Sequence, residues 1–190
     1  MGEKCSPKEY HRTAVQAEKA GDLVRAMSTI EEAIASYPDD PILWAYVGDL
    51  YEESQRFEDA SRAYQEFIEL RPGSHRGYRF LGALKSKQGN WKEAEALFEK
   101  SLSLKQSAIT HIYLGVSQES RGALDDAESS FLCALSVEPA NEEAMYNLAN
   151  IYIEQGKPEA AETLLSRAIE IDPESPSSKF YSRLESSSWA

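Results

Sequence analysis

Residues 141–173 read NEEAMYNLANIYIEQGKPEAAETLLSRAIEIDP, and the spacing within this stretch decides the fold. Met145, Leu148, Ala149 and Tyr152 recur at helical intervals before Gly156, and Ala161, Leu165 and Ala168 do so after it. Gly156-Lys157-Pro158 divides the two runs, a glycine where a helix can stop and a proline where one can start. Asn141 offers a starting cap and Pro173 a stop. Such a hairpin cannot bury its apolar faces by itself, so further copies are expected along the chain.

They are present. Pro38, Pro72, Pro139 and Pro173 stand 34, 67 and 34 residues apart, and the middle interval holds two units. Ala26, Ala60, Ala94, Ala127 and Ala161 mark all five, and Gly21, Gly89, Gly122 and Gly156 mark the inner turn, with Gln55 in the second slot. The units are 7–40, 41–74, 75–107, 108–141 and 142–175. Gly48, Gly82, Gly115 and Ala149 fall where the two helices of a unit cross, and a larger side chain there would cost roughly 1–3 kcal/mol of overpacking. Caps agree with this division: Ser6-Pro7 with Glu9 reads as a capping box, Asp40-Pro41, Asn141 and Ser175-Pro176 mark unit starts, and Asn90 is expected to cap the helix from Trp91.

Trp44, Val47, Gly48, Tyr51, Ala60, Tyr64 and Pro72, and again Met145 through Pro173, stand at the spacing of the tetratricopeptide repeat, which the chain resembles over about nine tenths of its length. The resemblance implies an all-α fold, a right-handed α-solenoid of five helix-turn-helix repeats. Its first helices would line a concave groove that binds a peptide or helix of another protein. The expected organisation is a leader at 1–6, one five-repeat domain at 7–175, and a C-terminal cap and frayed tail at 176–190, with Phe180, Tyr181 and Leu184 at helical spacing in the cap. Unit 3 departs from the pattern: it is one residue short, with Gln106 for proline, Ser101 for alanine and Lys85 at an aromatic position, where unit 4 has Gln118.

Composition bounds the partners. The 190 residues carry 20 Lys and Arg against 32 Asp and Glu, a net charge of −12 that disfavours binding to phosphate backbones. No apolar stretch is long enough to span a membrane. Cys5 and Cys133 are too few for a disulfide scaffold or zinc site, which points to a reducing compartment, the cytoplasm. Cys133 falls in the alanine-rich face of unit 4 and is expected to be buried. Met1-Gly2 through Ser6 loosely fits a myristoylation pattern, against which Glu3 argues. His11, His75 and His111 lie in different units without ligand spacing, and no phosphate loop or nucleophile motif occurs. No cofactor and no enzyme activity are therefore expected.

On a helical wheel the outward stripe of unit 4 is Ile109, Ile112, Tyr113 and Val116, opposite His111, Leu114, Gly115 and Gln118. The equivalent stripes are Lys8, His11, Arg12 and Val15; Ile42, Ala45, Tyr46 and Asp49; Arg76, Arg79, Phe80 and Ala83; and Glu143, Tyr146, Asn147 and Asn150. Tyr46, Phe80 and Tyr113 share one slot, either as an aromatic ladder for a partner or as fillers of the seams between helices. Unit 3 has seven basic residues against three acidic and is the one positively charged unit, the others running from −3 to −6. Arg76 and Arg79, one turn apart, suit a carboxylate or phosphate. Unit 1, with Lys8, His11 and Val15, lacks the lysine and asparagine arrangement of the family's carboxylate-clamp members.

The reading is a non-enzymatic scaffold, adaptor or co-chaperone. Its groove would bind an acidic or carboxylate-terminated protein segment bearing apolar side chains, through Arg76, Arg79, Phe80, Tyr46, Ile109, Ile112, Tyr113, Val116 and Tyr146. The alternatives are a head-to-tail homo-oligomer, basic unit 3 docking on acidic units 4 and 5 of another copy, and a regulatory domain associated with an enzyme.

Overall fold

The computed structural model describes residues 5–172. The ten helices of the described residues are α1 (Pro7–Lys19), α2 (Leu23–Ser36), α3 (Pro41–Glu53), α4 (Phe57–Leu70), α5 (His75–Lys87), α6 (Trp91–Leu104), α7 (Ala108–Ser120), α8 (Leu124–Val137), α9 (Glu142–Glu154) and α10 (Pro158–Ile171), with no strand among them. The fold is an all-α helical repeat, with helix starts at 7, 41, 75, 108 and 142. The cap expected at 176–185, the tail and Gly2 lie outside the described residues.

Two compact units divide the chain between Gln88 and Gly89, so the two helices of repeat 3 belong to different units. In the first unit α1 packs on α2, α2 on α3, α3 on α4 and α4 on α5. Its core joins Ala14, Ala17, Ala26, Ile30, Leu43, Val47 and Leu50, with Trp44, Tyr46 and Tyr51 partly buried against it. In the second unit α6 through α10 pack in the same sequence, and α7 also touches α9. Ile112, Phe131, Leu148 and Ile151 form the centre of that core.

The helix crossings depend on missing side chains. A Cβ on Gly48 would lie 2.5 Å from the Tyr64 ring, and one on Gly115 would lie 2.7 Å from Phe131. Gly77 gives the same closeness between consecutive repeats, its absent Cβ 2.6 Å from Phe67. In each case an aromatic ring of a second helix lies directly on the backbone of a first helix.

Capping follows the sequence at several ends. The Ser6 N–H donates to Glu9 Oε2 (2.7 Å) and the Glu9 N–H to Ser6 Oγ (3.4 Å), completing the capping box. Asp40 accepts from the Ile42 N–H and Asn141 from the Ala144 N–H, both at 2.9 Å. Asp22 caps α2 through the Arg25 N–H, which the spacing did not single out. The cap expected of Asn90 is not formed: its side chain makes no hydrogen bond to α6, and the helix starts on the Asn90 carbonyl, which accepts from the Ala94 N–H.

Inner turns take a left-handed residue, Gly21, Gly89, Gly122 and Gly156 having φ between 71° and 80°. In the second repeat Gln55 adopts the same conformation, φ 59°, where its Cβ crowds the following carbonyl. Gln55→Gly is expected to stabilise the chain by roughly 0.5–1 kcal/mol, the relief of strain exceeding the added freedom of the unfolded chain. The urea midpoint should rise; an unchanged or lower midpoint would show that the turn holds no such strain.

Candidate partner-binding faces

In the first unit, α1, α3 and α5 present the stripes read from the sequence. The His11 and Tyr46 rings lie 4.7 Å apart, and the Tyr46 hydroxyl donates a hydrogen bond to the Glu18 carboxylate. Burial, then Glu18, raises the Tyr46 pKa above the ordinary phenol value, so Tyr46 stays a hydrogen-bond donor. Tyr64 donates to Asp49 (2.8 Å) and Glu52 (3.1 Å). Asp49 keeps an open edge, yet burial of its carboxylate side raises its pKa, with Tyr64 and Arg76 pulling it down and Glu52 and Glu18 pushing it up.

Phe80 is half-buried against α4. Its ring stacks on Tyr64 at 5.6 Å and meets Phe67 edge-on at 6.2 Å. The Arg76 and Arg79 guanidinium groups sit 5.5 and 5.4 Å from its centroid, which brings the two cations together on one ring. Arg76 is exposed and makes no ion pair or hydrogen bond among the described residues.

In the second unit Ile109 and Tyr113 are 40% and 38% exposed, one turn apart on α7. Tyr113 stacks on Phe98 of α6 at 5.9 Å and 16°. Ile112 departs from the expected stripe. It is 1% exposed and belongs to the core with Phe131 and Leu148, because α7 is covered by α9 as well as by α8. Val116 is half-buried against that core, and Tyr146 on α9 packs beside Ala149, Ala161 and Leu165. Spacing alone did not point to Glu18 or Phe98, since each lies on a different helix from the ring it holds.

Of the polar departures of repeats 3 and 4, Ser101 and Gln118 are buried, Lys85 is half-buried and Gln106 is exposed. Gln118 Oε1 accepts from the Ser130 hydroxyl (2.6 Å), a buried pair in the place of an aromatic contact. Ser101 is fully buried. Gln106, which replaces the proline, accepts from His111 Nε2 (2.8 Å) and donates to the Leu102 carbonyl (3.2 Å), so it ties the end of α6 to the start of α7. Cys133 is exposed rather than buried, because Phe131 and Ala134 take the inward positions of α8. No group of three or more His, Cys, Asp or Glu side chains is placed to hold a metal among the described residues, and no described helix is long and apolar enough to cross a membrane.

Tetratricopeptide repeat family models match residues 13–75, 48–109 and 119–179, and the chain belongs to that family. A tetratricopeptide fold is a scaffold for protein–protein interaction. Cellulose synthase operon protein C of Pseudomonas fluorescens (strain SBW25) is 24% identical over 177 residues, covering 88% of this chain and 14% of that protein. The chain thus spans about one seventh of the length of this curated relative. Among solved structures, MamA (41-end) from Desulfovibrio magneticus RS-1 superposes with a TM-score of 0.76 at 17% identity, covering 93% of this chain and 99% of that one. YrrB, described as a TPR protein with an unusual peptide-binding site, superposes at 0.67 and 19% identity, covering 94% and 92%. At these identities the structural likeness concerns the fold.

His111 is 9% exposed, and burial holds its pKa below the ordinary 6.5, with no charged group contributing. A histidine that is harder to protonate when folded contributes stability fully present above the unfolded pKa and lost as pH falls from 6.5 towards the folded value. The chain is expected to lose stability between pH 7 and 5 at up to about 1.4 kcal/mol per pH unit more than His111→Asn. Urea midpoints of both across that range check it, and parallel curves would show that His111 is not the group responsible.

Proposed function

We propose that the chain is a non-catalytic adaptor or co-chaperone scaffold that holds a segment of a partner protein on the exposed faces of its first helices. The observation that carries this reading is the Ile109–Tyr113 pair. Two large apolar side chains stand open on α7, and the ring of Tyr113 is fixed from below by Phe98. A rigid, half-exposed aromatic is the kind of group that anchors interfaces. In the first unit, the exposed Arg76 beside Arg79 on the Phe80 ring suits an anionic group. The partner segment is therefore acidic, or ends in a carboxylate, and carries bulky apolar side chains. That YrrB is a peptide-binding protein of this fold supports the reading. Cys5 and Cys133 are both exposed thiols, an arrangement suited to a reducing compartment such as the cytoplasm.

The inverted charge of repeat 3 favours a second reading, head-to-tail association of its basic surface with acidic repeats 4 and 5 of another copy. Sedimentation at two salt concentrations separates the two, since only the second gives a mass that rises with concentration and falls with salt.

Peptides selected from a displayed library on the immobilised chain supply a ligand for kinetics. Tyr113→Ala is expected to speed dissociation at a cost of about 1 kcal/mol or more. Arg76→Ala with Arg79→Ala is expected to slow association and flatten its salt dependence. If both leave the rates unchanged while substitutions on the second helices abolish binding, the site lies elsewhere.

A further inference from the structure

We propose that repeat 2 carries a separate slot for a cationic side chain, an arginine or lysine of a basic partner segment, between Trp44 and Glu66 on the side of α3 opposite Tyr46. Trp44 and Tyr51 are seven residues apart and share one face of α3; Tyr46 lies about 140–160° away from them on the wheel. The slot is thus distinct from the faces considered above and does not depend on them.

A hollow of about 260 Å³ lies there, lined by Trp44 and Tyr51 of α3 and by Asp59, Arg62, Ala63 and Glu66 of α4. At roughly 30 Å³ per water it has room for several waters or one extended side chain. Both rings are fixed. The Trp44 indole N–H donates to the Pro38 carbonyl at 2.7 Å, and the Tyr51 hydroxyl donates to Glu31 Oε1 at 2.6 Å. Ala63, 1% exposed, leaves the floor without bulk.

The Tyr51 end of the slot shows the chemistry already satisfied within the chain. Arg56 lies over the Tyr51 ring, 4.4 Å from its centroid, and pairs with Asp59 at 2.6 Å; Arg62 closes on the same carboxylate at 2.5 Å. The aromatic ring, the cation and the carboxylate form one closed set. At the Trp44 end the ring and the carboxylate are present and the cation is not. Glu66, one turn beyond Arg62, is exposed and makes no hydrogen bond or ion pair among the described residues, because Arg62 is turned towards Asp59. A guanidinium or ammonium entering along Ala63 would lie against the Trp44 ring with Glu66 as its counter-ion, as Arg56 lies between Tyr51 and Asp59. The acidic balance of repeat 2 favours the approach of such a group.

The test uses the whole chain labelled with 15N and the indole N–H resonance of Trp44, assigned by its loss in Trp44→Phe. Titration with N-acetylarginine amide and N-acetyllysine amide should shift this resonance saturably, while citrulline amide and norleucine amide, neutral probes of similar length, should not. Glu66→Gln should weaken the arginine probe about threefold or more and leave the folded spectrum unchanged. Tyr113→Ala should leave the titration untouched, which keeps this result separate from the fate of the α7 site. The proposal is overturned if citrulline amide moves the Trp44 resonance as far as arginine amide does, or if Glu66→Gln leaves the titration as it was. An equal response of the Trp91 indole would also overturn it.

Discussion

The contact of an aromatic ring with a bare glycine backbone is the constraint on which the other features rest. At Gly48 the ring is Tyr64 and at Gly115 it is Phe131, and neither glycine has room for a methyl group. This closeness fixes the angular position of each first helix on its second. Once that position is set, the 3.6-residue period decides which side chains are left outside. Tyr46 and Tyr113, each two residues before its glycine, stand on the far side of the helix from the crossing for this reason.

Because the same crossing recurs, small local changes have defined results. Where the crossing ring is Tyr64, its hydroxyl reaches Asp49 and Glu52 and draws acidic groups into the first unit. Where it is Phe131, the neighbouring polarity is supplied instead by Gln118 and Ser130. The repeat is therefore a fixed frame whose variable positions set the chemistry of each face. In repeat 2 the frame holds aromatic and charged groups on both sides of α3, Tyr46 with Glu18 on one and Trp44 and Tyr51 with Glu31 on the other.

The helices and their boundaries were legible in the sequence because glycine, proline and alanine recur at intervals that hardly vary. Even the exception was readable, since Gln55 occupies a glycine slot and takes the glycine conformation. What was not legible depends on neighbouring helices. Ile112 lies on the wheel beside Tyr113, but α9 covers one and leaves the other open. Cys133 sits in an alanine-rich run whose inward places are taken by Phe131 and Ala134. The Trp44 slot could not be read at all, because its two rings match positions that the repeat pattern already explains, and the free carboxylate opposite them is on another helix.

A double-mutant cycle at Gly115 and Phe131, measured by urea unfolding, tests this account most directly. In the natural chain Gly115→Ala should destabilise by about 1–3 kcal/mol through the clash with the ring. In the Phe131→Ala background the same methyl group enters the vacated space, and the change should be neutral or stabilising by up to about 1 kcal/mol, the ordinary helix preference of alanine over glycine. Equal effects in the two backgrounds would contradict the claim that ring-on-glycine contact sets the register of the helices.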